Sequence, residues 1–151
     1  MRKRRILLFG IVFCLVLVAP ALALSLQVLD IEGQTTTLTA LEVLNMPHTT
    51  VKVIDHDVPA QFEGIPLANV LASAKIQLGD TLRGQRMTEV PVVEAADSYR
   101  VAFALAELDP AFAARDIVLA DERDGKPLDA KQGPLRVVAA GDKRPHVGCV
   151  R

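Results

Sequence analysis

His56 stands between Asp55 and Asp57. Carboxylates beside an imidazole favour its protonated form, so the trio has the makings of a general base or a metal ligand. Successive side chains of a strand point to opposite faces, so without a bend only one carboxylate shares the histidine's side. An exposed polar turn leading into Val58 and Pro59 is the competing reading. His48 after Pro47 and His146 after Pro145 read as surface histidines. The second group is basic: Arg136, Lys143 and Arg144 lie in or just after Gly133-Pro134-Leu135-Arg136-Val137-Val138-Ala139-Ala140-Gly141-Asp142-Lys143-Arg144. Guanidinium groups and glycine-flanked amides suit a phosphate or another anion. The alternative is a solvated strand edge.

Other chemistries find less support. Glu94, Asp97, Glu107 and Asp109 are spaced for acid/base work, which needs one carboxyl held neutral in an apolar pocket. The sequence identifies no such pocket, and a solvated face is expected. Ser25, Ser73 and Ser98 lack a Gly-x-Ser-x-Gly setting, and neither a GxGxxG nor a P-loop pattern occurs. Cys14 and Cys149 are the only cysteines, so the sequence has no CxxC or Cys/His cluster for zinc.

The elements that must position these residues are mostly strands. Ser25 to Ile31 alternates polar and apolar residues, and Thr49 to Asp55 carries Val51 and Val53 on one face. Thr39-Ala40-Leu41-Glu42 has capping-box spacing and starts a short helix that Met46-Pro47 ends. Gln61 to Glu63 reads as a short strand. Pro66 then opens a helix whose Leu67, Val70, Leu71 and Ala74 form one stripe. Val90 to Ala95 and Tyr99 to Ala104 predict a hairpin, and Leu105 to Leu108 with Phe112 a helical turn. Strands at Asp116 to Asp121 and Pro134 to Ala139 flank the turn Asp124-Gly125-Lys126-Pro127. Strands grouped with few short helices predict a mixed, strand-rich α+β single domain.

Composition narrows the partners. Of 151 residues, half are apolar, 23% charged and 4% aromatic, which suits one globular domain. Arg2, Lys3, Arg4 and Arg5 are the only charges in the first 23 residues, leaving 13 bases against 18 acids beyond them, a net of −5. Such a body lacks the basic surface that neutralises phosphates, and Trp is absent, so nucleic acid is not an expected partner. The basic start, the apolar run from Ile6 to Val18 and Ala19-Pro20-Ala21-Leu22-Ala23 have the pattern of a signal peptide cleaved after Ala23. A retained membrane anchor is the alternative, since a spanning helix needs about 20 apolar residues. Pro20 and the Ala-rich exit favour cleavage. The expectation is therefore a signal peptide over 1–23 and one domain over 24–151, periplasmic or secreted, with no membrane attachment after cleavage. Cys149 is then alone, so the fold relies on packing rather than an internal disulfide.

Three segments together resemble a known family. In order they are Phe62-Glu63-Gly64-Ile65-Pro66-Leu67 with its helix, Gly125-Lys126-Pro127-Leu128, and Gly133-Pro134-Leu135-Arg136-Val137-Val138. Their order and spacing resemble the molybdopterin-binding domain of sulfite-oxidase-like oxidoreductases, over roughly Thr37 to Arg144. The resemblance implies an α+β domain and the molybdenum cofactor, held through a pterin dithiolene and a cysteine thiolate just after the strand Thr49 to Ile54. Here that place reads Asp55-His56-Asp57, and neither carboxylate nor imidazole replaces a soft thiolate. Arg136, Lys143 and Arg144 are closest to the family's pterin-phosphate contacts. The resulting expectation is a scaffold without redox catalysis of its own, binding a small anion, a pterin-like ligand or a protein partner. The alternative is an active molybdenum oxidoreductase with a non-cysteine ligand, for which His56 is a weak candidate.

Overall fold

Alternating β-branched and polar residues fold this chain chiefly into antiparallel ladders. The computed structural model describes residues 25–95 and 98–141, together with the backbone of 148–150. The strands are β1 (Ser25–Leu29), β2 (Thr35–Thr39), β3 (Thr49–Asp55), β4 (Val58–Pro66), β5 (Val92–Glu94) and β6 (Arg100–Ala102). They continue as β7 (Ile117–Arg123), β8 (Lys126–Pro127), β9 (Leu135–Ala139) and β10 (Gly148–Val150). Helices are few: α1 (Ala40–Leu44), α2 (Leu67–Ser73) and three short 3-10 turns. The chain is thus a strand-rich mixed α+β domain. Among the described residues no helix is long and apolar enough to cross a membrane.

Six strands form the main sheet, in the order β10-β9-β7-β4-β3 with β8 beside β7, while β1–β2 and β5–β6 are separate two-stranded ladders. Two-residue loops fix two of the joints. His56 and Asp57 (φ 51° and 66°) link β3 to β4, and Asp124 and Gly125 (φ 51° and 74°) link β7 to β8. Left-handed backbone at both loop positions is the geometry that matches the twist of an antiparallel hairpin. The segment expected as a short strand around Phe62 is therefore the middle of a nine-residue one.

Two apolar layers cover the sheet. On one face Ile65, Leu119, Leu135 and Val137 pack with Leu67, Val70 and Leu71 of α2 and with Leu82, Phe103 and Leu105. On the other face Val51, Ala60, Phe62, Val118, Ala120 and Val138 make a smaller cluster. β9 is buried at all five positions, as expected of a strand packed on both faces.

The start of α1 follows the capping rule in full. Glu42 N–H donates to the Thr39 hydroxyl at 3.3 Å, and Thr39 N–H donates to the Glu42 carboxylate at 2.7 Å. That backbone donor first, and then the Thr39 hydroxyl, holds the Glu42 carboxyl below its ordinary value. Thr39→Ala removes the oxygen that accepts from Glu42 and is expected to lower the thermal midpoint by a few degrees, measured by circular dichroism. An unchanged midpoint would show that packing of Val43, not the cap, sets the helix start.

Candidate functional site

One irregularity in the ladder builds the charged centre of the molecule. β4 and β7 pair with Phe62 opposite Arg123 and Glu63 opposite Glu122, but Gly64 stands opposite Ala120, which leaves Asp121 without a partner. Such a bulge changes which side chains share a face. Beyond it, Arg123 shares the face of Phe62, and Arg136, opposite Ala120 in the β7–β9 ladder, shares it too. The same alternation along β3 brings Asp55 to that face with Val51 and Val53.

There the four residues meet. Arg136 donates to Asp55 Oδ1 at 2.9 Å and Oδ2 at 3.3 Å, and Arg123 donates to Oδ2 at 2.7 Å. His56 Nδ1 lies 3.1 Å from Oδ1. Both guanidinium groups stand over the Phe62 ring, 5.0 Å (Arg136) and 5.4 Å (Arg123) from its centre. Asp55 and Arg136 are almost fully buried at 1% and 2% exposure, whereas the His56 side chain is 79% exposed. Burial pushes the Asp55 carboxyl up, but the Arg136 hydrogen bond and the charges of Arg136, Arg123 and His56 outweigh it and hold the group below its ordinary value. Arg136 Nε is buried without a partner. Arg123 also reaches Asp124, at 3.4 Å, so two acids share two arginines.

This arrangement answers for several expected site residues. The exposed turn expected over Asp55-His56-Asp57 is formed by His56 and Asp57 alone; Asp55 is instead the buried last residue of β3, and the bend lets His56 and Arg136 reach its carboxylate. Arg136 is not presented at a strand end. β9 is an inner strand, and the Arg136 guanidinium is committed to Asp55. Lys143, Arg144 and His146 lie outside the described residues. The backbone of Cys149 is opposite Arg136 in the β9–β10 ladder. Asp109, expected on a solvated face, is 3% exposed and accepts hydrogen bonds from the Gly79 and Ala111 amides. His48, expected at the surface, is half-buried between Met46 and Asp121.

The Asp55 position also decides whether the cofactor implied by the resemblance fits. An ionised carboxylate offers about four lone-pair positions, and Asp55 faces four nitrogen contacts. It has no position left for a metal, and it is a hard donor where a soft thiolate is required. Among the described residues no three His, Cys, Asp or Glu side chains group as metal ligands. The residues at this place do not fit a molybdenum centre. No family model matches the chain, and no curated protein matches it.

Beside this centre lies an open cleft of about 710 Å³ along the β3–β4 hairpin. Val53, Ile54, Pro59 and Ala60 give it apolar walls, and Lys52, Gln61 and Asp124 supply the polar groups. Lys52 and Gln61 are direct cross-strand partners. Gly141, the last described residue before the segment carrying Lys143 and Arg144, is also in its wall. The arrangement can hold a small molecule with an apolar body and a polar edge. It contains no nucleophile paired with a base.

Proposed function

We propose that this chain is an exported binding domain of the sulfite-oxidase-like type that carries out no redox reaction of its own. Its ligand is a small anion, a pterin-like molecule or a protein partner, held near the cleft along the β3–β4 hairpin. The observation that carries this reading is the state of Asp55, which occupies the place of the resembled family's thiolate and is saturated by Arg136, Arg123 and His56. Gly141 lines the cleft wall. Lys143 and Arg144 are the positive charges that the resemblance leaves for the ligand, with Arg136 engaged inside the fold. Export rests on the basic start and on the apolar run ending in Ala19 to Ala23.

One preparation tests the reading. The protein is recovered from the periplasm of cells that make the molybdenum cofactor, and is analysed by intact mass, metal content and extracted pterin. The expected result is a chain beginning at Leu24 with molybdenum far below stoichiometric. Pterin without metal would identify the ligand class. Near-stoichiometric molybdenum would overturn the proposal.

A further inference from the structure

His48 sits between two hydrogen-bond acceptors. Its Nδ1 is 2.8 Å from the carbonyl oxygen of Met46, and its Nε2 is 3.2 Å from Oδ2 of Asp121. A carbonyl oxygen and an ionised carboxylate can only accept, whereas a neutral imidazole has a single N–H. Both contacts become hydrogen bonds only when the pair holds one extra proton, on Nε2 or shared with Oδ2.

Where the pair sits gives that proton a mechanical consequence. His48 belongs to the short connection between α1 and β3, and Asp121 is the bulged residue of β7 with no partner across the ladder. We propose that His48 and Asp121 form a proton-dependent latch that fastens the α1–β3 connection to the main sheet. The pair is half-buried, with the two side chains 23% and 20% exposed, so water replaces the contact poorly. Asp121 Oδ1 is buried without a partner, so this carboxylate leans on His48.

The groups around the pair are acidic or neutral. Asp121 is the titratable group that meets the ring from β7. Glu122 beside it and Glu63, its ladder partner on β4, add negative potential around the bulge. Gly64, which pairs with Thr49 next to the histidine, brings no charge, and Lys52 is four residues away on β3. From the helical side, α2 contributes the Ser73 hydroxyl, 3.8 Å from Met46 Sδ. The latched form binds one proton more than the open form. An unconstrained histidine loses its second proton near pH 6.5, so the latch weakens as pH rises above that range.

Asp121→Asn separates this device from a merely structural contact. An asparagine amide can donate to a bare Nε2 while Nδ1–H donates to Met46, so the variant closes the latch without the extra proton. Limited proteolysis of the full chain between Asn45 and His48, mapped by mass spectrometry, is compared at about pH 5.5 and about pH 8.5. Cleavage of the wild type relative to the variant is expected to rise about tenfold at the higher pH, the scale of one charge-assisted hydrogen bond. Nitrogen-15 spectra of the His48 ring provide a second readout: the second ring proton is expected to persist to higher pH in the wild type than in Asp121→Asn. Loss of that proton over the same pH range in both proteins, or an equal change of cleavage with pH in both, would overturn the latch.

Discussion

Asp55→Ala is expected to destabilise the protein by about 3–5 kcal/mol, the usual cost of removing one partner from a buried ion pair. The substitution removes little apolar contact. What it leaves is two guanidinium groups over Phe62, one of them buried, with no carboxylate to accept from them. Domains of this size are stable by roughly 5–15 kcal/mol, so the loss consumes a large share. Urea denaturation would measure it; a change below about 1 kcal/mol would mean that water reaches Arg136 and replaces the carboxylate. Replacing Asp55 and Arg136 together by apolar residues should cost less than Asp55→Ala alone, because the penalty lies in the orphaned charge.

The same pair sets an acid limit. In the folded chain Asp55 is held below its ordinary 3.8, while in the unfolded chain it titrates near that value. The folded state therefore binds fewer protons there. The stabilisation is complete above about pH 4 and is lost as pH falls through the folded value. Asp55→Asn should lack this share of the acid transition and start from a lower stability at neutral pH.

Much of the strand pattern is legible in the residues, and the charged centre is legible only in halves. Thr49 to Asp55 reads as a strand and is one, and the Thr39–Glu42 cap appears as its spacing requires, because both signals are local. The β3–β4 hairpin is harder to see. His56-Asp57 adopts the left-handed turn usually marked by Asn-Gly, and the flanking ladder overrides the cost of that backbone in non-glycine residues. Leu135 to Ala139 lacks alternation, which implies a strand buried on both faces, and so implies a partner for Arg136. Which of 18 acids supplies it depends on sheet order, and no local pattern encodes that. Arg123 escapes notice for a related reason. In a regular strand it would face the side of Leu119, and only the unpaired Asp121 turns it toward Asp55. The buried Asp109 is a third case, because the loop amides of Gly79 and Ala111 that enclose it arrive from two separate turns.

Gly64→Ala tests how much of this centre hangs on the bulge, and it is expected to cost about 3 kcal/mol, the upper range for overpacking. The backbone at Gly64 has no left-handed requirement, so the constraint is space. A Cβ there would stand 2.7 Å from the Ala120 amide nitrogen, and closer still to the Leu119 carbonyl oxygen and Ala120 Cα. All three are main-chain atoms of the paired strand, so no rotamer change relieves the clash. β7 must move away from β4. Relief by that route shifts the bulge, and with it both Arg123 and Asp121, which reach Asp55 and His48 from either side of it. The two effects are then coupled rather than additive. Arg123→Ala should destabilise the Gly64→Ala protein less than it destabilises the wild type, because Arg123 has already been drawn off Asp55. A double-mutant cycle by urea denaturation reads this directly. Equal effects of Arg123→Ala in the two backgrounds would mean that β7 yields without moving its charged residues, and that the glycine serves the ladder alone.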